Sequence, residues 1–520
     1  MCAPKVTPPL SFSASMSPEK GVFCYAKFNL PALLHLASQL RDVKCSCDES
    51  KRPESGALNW AIVLSFEDGV EWIFRSPRRC HDISPETIPK LIKSEVATMK
   101  YVKMNSSIPV PEVFDYSCTG SNTIGVPFIL MSKAPGYALS RFSWNSIPDG
   151  MVASRKPLPC LKRANKEKVM KQLGEIISPL LNLRFDEIGS LVEEDGEYLI
   201  KQCVSPALVW HGRDSLQDEV RRGPFRHTHD YYESQLSAFI LHVKKLPLEQ
   251  HAFFAPIPEL GEYETLSSYR SAVSRWNHFV TVGAKIDGSK NSLDYCVAGH
   301  FLRQMIPLIT QQSFATAGNF GNAYPLSHPD ISTSNVFLDS DFNITCVIDW
   351  AFSSTVPIST LLITPSLPHP RDEVDSTLVP AFRSSFTHHF LQGKDVKFNQ
   401  EFRDSTRRAW LFSRLVTLDS LQDYRYFKEL YMSVYELEDG VEIPRLFKDV
   451  QRQEEFVQLA ATLAEDDRSV DEIRRDEGEY FRYSHSDREA IARKLTMVAG
   501  LSEGFVADER LWEWIEEATG

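Results

Sequence analysis

The 520-residue chain lacks several features that would assign it at once to a broad class of proteins. No apolar run approaches the roughly 20 residues of a membrane-spanning helix, so we expect no membrane partner. Basic residues are in the minority, with 57 Lys and Arg against 69 Asp and Glu, and the net charge of −12 argues against a nucleic-acid partner. The ten cysteines form no paired C-x-x-C motif and no Cys/His cluster, which argues against a zinc site and favours reduced thiols in the cytoplasm.

The beginning of the chain also lacks an apolar run. Residues 1–27 are rich in Pro and Ser, so we expect a disordered lead-in there and no signal peptide. They contain no acidic residue before Glu19, as is typical of mitochondrial presequences, but they contain no arginine. We therefore predict a cytoplasmic protein, and a mitochondrial location stays open.

The strongest signal for function lies between Leu326 and Phe352. Asp330 follows His328-Pro329, and Asn335 comes five residues after that Asp. Two short β-favouring runs joined by turn-forming residues follow, and they predict a hairpin that ends at Asp349. Carboxylate and amide oxygens in this order suit phosphoryl transfer. In that reaction one Asp orients an acceptor hydroxyl and receives its proton, while Asn and Asp hold Mg²⁺ against nucleotide phosphates.

This segment resembles the catalytic and metal-binding region of the aminoglycoside phosphotransferase family, the small-molecule relatives of the protein kinases. The family usually has His-Gly-Asp, an Asn five residues after the Asp, and a later Ile-Asp-Trp. The residues that match are His328, Asp330, Asn335, Ile348, Asp349 and Trp350. The resemblance implies that Asp330 is the catalytic base, that Asn335 and Asp349 bind Mg²⁺, and that the phosphate donor is ATP or GTP. Pro329 replaces the usual Gly, and Ala351 stands where an acidic residue is common.

A second region, far from the first in sequence, carries the same resemblance, especially to members of the family in filamentous fungi. The similar segments are Phe66–Gly69, Ser94–Met99, Ile108–Pro111 and Ile129–Gly136. The patterns predict a helix over Phe28–Leu40, a hairpin around Asp68-Gly69, a helix over Ser84–Met104 and a strand over Pro127–Met131. Together these elements have the order of a kinase-like N-lobe over residues 28–131.

The resemblance implies roles in nucleotide binding for four residues of this lobe. Arg75 ends the strand after the hairpin, where kinases keep a phosphate-binding lysine, and Glu95 lies where the family places the acid that holds this cation. An exposed salt bridge of little consequence is the alternative for the pair. Met131 belongs to the expected hinge for the nucleotide base. Gly56 is the one glycine in residues 48–59, where kinases use G-x-G-x-x-G, so a plain polar loop is an equal alternative there.

The remaining chain shows mainly helical patterning. The predicted helical segments are Val169–Phe185 with a kink at Pro179, Thr228–Lys245, Leu266–Phe279, Val297–Thr310, Arg403–Val434 and Glu454–Ala464. We predict a C-lobe over residues 132–520 with its catalytic loop at 326–352 and a C-terminal helical extension. The expected fold class is α+β, a bilobal protein-kinase-like fold with a small antiparallel sheet in the N-lobe and a large, mostly helical C-lobe.

Two functions from different classes are compatible with these features. The first is a nucleotide- and Mg²⁺-dependent enzyme that transfers the γ-phosphate to a hydroxyl of a small molecule. The second is a catalytically degenerate binding or scaffold protein of kinase fold, which the glycine-poor loop and the arginine at position 75 motivate. A protein kinase proper is disfavoured, because the chain has no G-x-G-x-x-G loop and no Ala-Pro-Glu element soon after Asp349.

Overall fold

The structure is a computed structural model that contains two compact units. It describes residues 27–78, 83–144, 158–216, 219–248, 251, 253–254, 288–311, 323–385, 396–420, 422–438, 441–467, 469 and 471–472. The first unit comprises residues 1–80 and 113–133, and the second comprises residues 81–112 and 134–520. The predicted α+β class, with a small unit built on an antiparallel sheet and a larger, mostly helical one, is confirmed. The helix within 81–112, expected in the small lobe, groups with the second unit.

The first unit is built on a six-stranded sheet in the order β1-β3-β4-β6-β5, with β2 paired to β3. Its strands are β1 Cys45–Cys47, β2 Glu54–Ser55, β3 Asn59–Phe66, β4 Glu71–Pro77, β5 Val113–Ser117 and β6 Phe128–Ser132. Helix α1, Leu30–Arg41, contributes Leu33 and Ala37 to the core. Alternate residues of β3, among them Trp60 and Leu64, are buried in the same core. The helix and the hairpin predicted here are confirmed, whereas β5 was not predicted.

The turn between β3 and β4 shows why the hairpin could be read from the sequence. Gly69 has a φ of 82°, a left-handed conformation that glycine adopts without a steric penalty. Asp68 accepts a hydrogen bond from the backbone N–H of Val70 through Oδ1 at 3.2 Å. Both interactions are local, so the Asp-Gly pair is sufficient to predict them.

The second unit is mostly helical. Its helices are α2 Ile88–Asn105, α3 Arg163–Leu180, α4 Pro206–Val209, α5 Thr228–Lys245, α6 Gly288–Gln311, α7 Ile358–Leu361, α8 Val379–Ser384, α9 Val396–Thr417, α10 Asp423–Tyr435, α11 Ile443–Gln451 and α12 Glu454–Ala464. Among the main helix pairs, α5 packs on α6 and α9 on α10. The helical prediction for 266–279 lies outside the described residues. Where the structure describes the chain, no helix is long and apolar enough to cross a bilayer.

The predicted helix over Val169–Phe185 ends earlier than expected. Helix α3 includes Pro179 and ends at Leu180, and Arg184–Phe185 forms the short strand β8 instead. Proline has no N–H for the helical ladder and its ring crowds the preceding turn, so the helix stops one residue later. Strand β8 then pairs with the strand that leads into the candidate site.

Two small antiparallel sheets of the second unit position that site. Their strands are β7 Tyr137–Ala138, β11 Tyr324–Ser327, β12 Val336–Leu338, β13 Ile344–Val347 and β14 Ser354–Thr355, together with β8. The first sheet has the order β14-β11-β8, and the second has the order β13-β12-β7. A separate hairpin joins β9, Ser190–Glu194, to β10, Glu197–Lys201. The hairpin of β12 and β13 is the one predicted from the sequence. Gly136, just before β7, has a φ of 88°, and a Cβ there would lie 2.1 Å from the carbonyl oxygen of Leu338. Only glycine permits this close approach of the two strands.

A half-buried acid in helix α6, Asp294, makes a pH-dependent contribution to stability. Desolvation raises the pKa of Asp294 to about 7, although Gln451 Nε2 donates a hydrogen bond to its Oδ1 at 2.7 Å. Because the folded pKa lies above the unfolded one, the stability contributed by this group is fully present below about pH 4 and is lost as pH rises from 4 to 7. We expect Asp294→Asn to raise the free energy of unfolding by about 1–3 kcal/mol at pH 8 and hardly at pH 4. Urea unfolding at both pH values checks this.

The control for that experiment is Asp449→Asn, which removes an exposed carboxylate whose 3.1 Å ion pair joins it to Arg452. An exposed pair of this kind contributes little, so the control should leave the free energy of unfolding nearly unchanged at both pH values. If Asp294→Asn raised the free energy of unfolding equally at pH 4 and pH 8, the charge of the carboxylate would not be the cause, and the raised pKa would be contradicted.

Candidate active site

The site is built on the loop that joins β11 to β12. Strand β11 is the middle strand of its sheet, with Leu326 opposite Thr355 of β14 and Tyr324 opposite Phe185 of β8. The chain leaves this sheet at Ser327 and enters β12 at Val336. The loop between them is therefore fixed at both ends by strand pairing.

His328 holds the first half of the loop in place. Its Nε2 donates to the carbonyl oxygen of Ile348 at 3.0 Å, and its Nδ1 accepts from the backbone N–H of Asp330 at 3.1 Å. The ring is buried and packs edge-on against Trp350, with 4.7 Å between centroids. Burial lowers the pKa of His328, so the imidazole is neutral at pH 7 with its proton on Nε2. Both ring nitrogens are thus occupied in positioning Asp330 and the end of β13.

Asn335 holds the second half of the loop. Its Nδ2 donates to the backbone oxygen of Asp330 at 2.9 Å and to Oδ2 of the same residue, also at 2.9 Å. The backbone oxygen of Asn335 accepts from the N–H of Ile348 at 2.9 Å, which ties the loop to the strand that precedes Asp349. The spacing of five residues between Asp330 and Asn335 is the spacing that closes this loop on itself.

The Asp330 carboxyl has a raised pKa and one enclosed oxygen that is not hydrogen-bonded to any described residue. Burial raises its pKa, and the charge of Asp349 raises it further, while the hydrogen bond from Asn335 opposes the shift. Its Oδ1 is enclosed and accepts no hydrogen bond from any residue that the structure describes. Leaving an enclosed carboxylate oxygen without a donor costs about 1–3 kcal/mol or more. The unfilled position can accept a hydrogen bond from a ligand.

Asp349 stands at the end of β13 in an uncommon backbone conformation. Its φ is 63°, in the left-handed region, which costs free energy for a residue with a side chain. The indole of the next residue, Trp350, is buried and donates through Nε1 to the carbonyl oxygen of Val347 at 2.9 Å. This bond turns the chain sharply after the strand. Strain of this kind is tolerated where the surrounding structure fixes the residue.

The donor set of the loop fits a Mg²⁺ ion. The Nδ2 of Asn335 is committed to Asp330, which leaves its Oδ1 as the atom available to a cation. Asp349 would supply a carboxylate oxygen from the strand end. Mg²⁺ prefers such hard oxygen ligands and commonly takes only one or two from protein, with phosphate oxygens and water completing the octahedron. Among the described residues, no group of three His, Cys, Asp or Glu side chains suited to a metal ion occurs.

The two charged residues predicted to anchor the nucleotide belong to different units. Arg75 lies on β4 in the first unit, opposite Ala61 of β3 and Ile129 of β6, and its side chain is 8% exposed. Glu95 lies on α2 in the second unit and is 4% exposed. Burial of a charged side chain costs free energy unless it is paired, so neither residue is an ordinary solvated surface charge. The roles predicted for the two residues stay predictions.

Gly56 and Met131 both lie in the sheet unit. Gly56 follows β2, and its backbone N–H donates to the carbonyl oxygen of Asn59 at 2.9 Å. A Cβ at Gly56 would meet nothing within 4 Å, so nothing in its geometry requires glycine. Met131 lies on β6, between Ile73 of β4 and Val113 of β5, and it is buried. Their predicted contacts with a nucleotide stay predictions as well.

Sequence reasoning missed the segment that braces the loop from outside. The backbone N–H of Thr333 donates to the carbonyl oxygen of Pro368 at 2.9 Å. The backbone N–H of Ser140 donates to the carbonyl oxygen of Thr333 at 2.8 Å. Nothing in the run LLITPSLPHP at 361–370 signals a contact with this loop. Long-range contacts of this kind leave no periodic pattern in a sequence.

No protein-family model matches the chain. Among curated proteins, it is 26% identical over 334 residues to a subtelomeric hrmA-associated cluster protein of Aspergillus fumigatus, a match that covers 60% of this chain and 58% of the relative. It is 25% identical over 173 residues to altered inheritance of mitochondria protein 9, mitochondrial, of Candida glabrata, covering 32% of this chain and 26% of the relative. The chain thus spans little more than half the length of the first of these relatives.

Solved structures of phosphotransferases are also similar to the chain. The streptomycin–ATP–APH(2″)-IIa ternary complex matches 79% of this chain and 99% of its own, with 12% sequence identity and a TM-score of 0.35. At such a TM-score the superposition is loose. The chemical interpretation of the site therefore depends on the residues of the loop itself and on the hydrogen bonds that hold them.

Proposed function

We propose that this chain is a nucleotide- and Mg²⁺-dependent phosphotransferase that transfers the γ-phosphate of ATP or GTP to a hydroxyl of a small molecule, as the resemblance to the aminoglycoside phosphotransferase family implies. One observation supports this most directly. Asp330 is held by Asn335 with one carboxylate oxygen left without a donor among the described residues, and Asp349 is presented by the adjacent strand end. A catalytic base beside two Mg²⁺ ligands is the minimum that the reaction requires.

The roles proposed for the residues use the hydrogen bonds and burial of the loop. Asp330 orients the acceptor hydroxyl through its unfilled oxygen and receives the proton as the hydroxyl oxygen attacks phosphorus. Its raised pKa makes it a better proton acceptor than an exposed aspartate. Asn335 and Asp349 would hold Mg²⁺, which neutralises charge on the β- and γ-phosphates. His328 contacts no reacting atom and acts by positioning the loop.

Arg75, the buried cation on β4 of the first unit, is proposed to anchor the nucleotide phosphates. Arg75 can bind phosphate with two parallel hydrogen bonds, and its guanidinium stays charged at every physiological pH. Glu95 is proposed as the acid that holds this cation, Met131 as part of the hinge for the base, and Gly56 as part of the turn over the phosphates. Of these, Gly56 has the weakest support, because an alanine would fit in its place.

The experiment that tests the function measures thermal melting of the full chain with ATP, GTP and ADP, each with and without Mg²⁺, followed by a turnover screen on hydroxyl compounds. A nucleotide at about 100 times its Kd stabilises the folded state by about 2.7 kcal/mol. We expect a rise of the melting midpoint that requires Mg²⁺ for ATP or GTP, and Mg²⁺-dependent phosphorylation of at least one small hydroxyl compound.

The same experiment distinguishes the alternative of a degenerate binding or scaffold protein. The glycine-poor segment 48–59 and the arginine at position 75 motivate that alternative. Nucleotide binding without turnover across the whole panel would support it. The absence of any shift with every nucleotide would contradict the phosphotransferase itself.

The cellular location is proposed separately from the chemistry. The cysteine pattern favours the cytoplasm, whereas the names of several relatives place those proteins in mitochondria. Fractionation of cells that express the full chain, with a matched tag at the C-terminus, decides between the two.

A further inference from the structure

The segment over residues 367–372 forms a compact turn against the catalytic loop. Thr333 donates to the carbonyl oxygen of Pro368 through its backbone N–H at 2.9 Å and through Oγ1 at 3.3 Å. On the opposite side, Trp410 of α9 donates through Nε1 to the carbonyl oxygen of Pro370 at 3.2 Å. The turn is therefore held between the loop that carries Asp330 and a long helix of the second unit.

Hydrogen bonds inside the turn fix its shape. The backbone N–H of His369 donates to Oδ2 of Asp372 at 3.1 Å, and the N–H of Asp372 donates to the carbonyl oxygen of His369 at 2.9 Å. The backbone N–H of Arg371 donates to Nδ1 of His369 at 3.4 Å. These bonds use the backbone and the short side chains of the turn, and they leave the guanidinium of Arg371 outside the network.

The guanidinium of Arg371 has no direct partner among the residues that the structure describes. Its side chain is exposed, and its guanidinium makes no hydrogen bond or ion pair with any residue that the structure describes. The neighbouring Arg414, by contrast, is paired with Asp419 at 2.5 Å. His369 adds no charge, because burial and the nearby arginines lower its pKa to about 4. Arg371 is thus the cation of this turn that a ligand can use.

The place of Arg371 in the turn is also near the reacting group. Arg371 follows Pro368 by three residues, and the carbonyl oxygen of Pro368 accepts from Thr333, which follows Asp330 by three residues. A guanidinium on a long flexible side chain at this place can reach a group that lies against the Asp330 carboxylate. The group that passes there during catalysis is the phosphoryl in transit to the acceptor oxygen.

The catalytic loop itself supplies no positive charge for that group. Residues 331–334 are Ile, Ser, Thr and Ser. The transferring phosphoryl spreads negative charge over three equatorial oxygens, and an arginine directed at them can raise the rate by roughly 10³–10⁵-fold. The planar guanidinium can hold two of these oxygens at once.

We propose that Arg371 contacts the equatorial oxygens of the transferring γ-phosphoryl group and stabilises its charge. This role rests on the proposed phosphotransferase function. During transfer the acceptor oxygen bonds to phosphorus, the bond to the leaving nucleoside diphosphate breaks, and the hydroxyl proton passes to Asp330. Arg371 exchanges no proton and acts only by charge and hydrogen bonding.

The test uses the full chain and needs no knowledge of the acceptor. Isothermal titration with Mg²⁺·ADP is compared with the same titration in the presence of aluminium fluoride, which occupies the place of the phosphoryl in transit. We expect aluminium fluoride to tighten ADP binding in the wild type. In Arg371→Ala this tightening should be smaller by about tenfold or more, because the charged donor is missing. The affinity of Arg371→Ala for Mg²⁺·ADP alone should stay within about twofold of wild type. Arg371→Lys should retain part of the gain.

The matched control is Arg452→Ala, which removes an equally exposed arginine whose partner is Asp449. It should keep the whole gain from aluminium fluoride. A full gain in Arg371→Ala, or no gain in a wild type that binds Mg²⁺·ADP, would overturn the role of Arg371 and leave the phosphotransferase standing. A full gain together with a raised KM for an acceptor would instead assign Arg371 to acceptor binding. A wild type that does not bind Mg²⁺·ADP contradicts the phosphotransferase, and the role of Arg371 with it.

Discussion

Asp330→Asn is expected to lower the rate of phosphoryl transfer by roughly 10²–10⁴-fold, because an amide cannot take the proton of the acceptor hydroxyl. The amide oxygen can still accept the hydrogen bond that Asn335 Nδ2 donates to Oδ2 at 2.9 Å, so the loop should keep its shape. The melting midpoint and the Mg²⁺-dependent binding of nucleotide should therefore stay close to wild type. Release of nucleoside diphosphate with the best acceptor of the hydroxyl panel measures the effect.

The control for this variant is Asp341→Asn, in the turn of the β12–β13 hairpin. Asp341 is exposed, and its backbone oxygen accepts a hydrogen bond from Lys168 Nζ at 2.7 Å. Removing its charge alters the net charge by the same amount as Asp330→Asn but should leave turnover unchanged. Near-normal turnover in Asp330→Asn would show that another group takes the proton, and a loss of folding would show that Asp330 acts through the structure of the loop.

Asp349→Asn is expected to remove most of the stabilisation that depends on both Mg²⁺ and nucleotide. Asparagine tolerates the left-handed backbone, with a φ of 63°, better than alanine does, so the substitution changes the charge with little added strain. A neutral amide binds Mg²⁺ much more weakly than a carboxylate because the cation is a hard, doubly charged ion. The wild type should gain about 2.7 kcal/mol of stability with saturating Mg²⁺·ATP, and Asp349→Asn should gain far less.

Melting curves at several Mg²⁺ concentrations measure this difference. Binding of ATP without Mg²⁺ should be equal or slightly stronger in Asp349→Asn, since one negative charge facing the phosphates has been removed. An unchanged Mg²⁺ dependence would place the metal elsewhere. The same curves for Asp330→Asn serve as the comparison, because that variant keeps Asn335 and Asp349 intact.

Much of the site could be read from the sequence because its parts are local. Asp330 and Asn335 are five residues apart, and the hydrogen bonds between them close a single loop. The hairpin that follows uses turn formers between two short apolar runs, as the Asp-Gly turn does in the first unit.

Periodicity located α2, α3, α5, α6 and α12, although α3 ends at Leu180 instead of Phe185. The prediction of one helical segment over Arg403–Val434 was wrong, because α9 ends at Thr417 and α10 begins at Asp423. The short helices α4, α7 and α8 and the amphipathic α11 were not predicted.

Features that depend on distant residues could not be read in this way. Strand β5 was missed because its residues are all half-buried and show no alternation. The raised pKa of Asp330 depends on burial by the surrounding fold, and that of Asp294 on the packing around α6. The contact between Thr333 and Pro368 joins two segments that have no common pattern.

The sequence by itself determined the order, spacing and chemical type of the loop residues, and hence the class of reaction that they suit. These properties are local, since each depends on neighbours along the chain and on the preferences of single residues for turns, strands and oxygen coordination. Only the tertiary structure decided that His328 is neutral and holds the loop, and that one oxygen of Asp330 is left without a donor among the described residues. It also decided that the turn carrying Arg371 lies against this loop. Burial and electrostatic fields arise from residues that the chain brings together only when it folds.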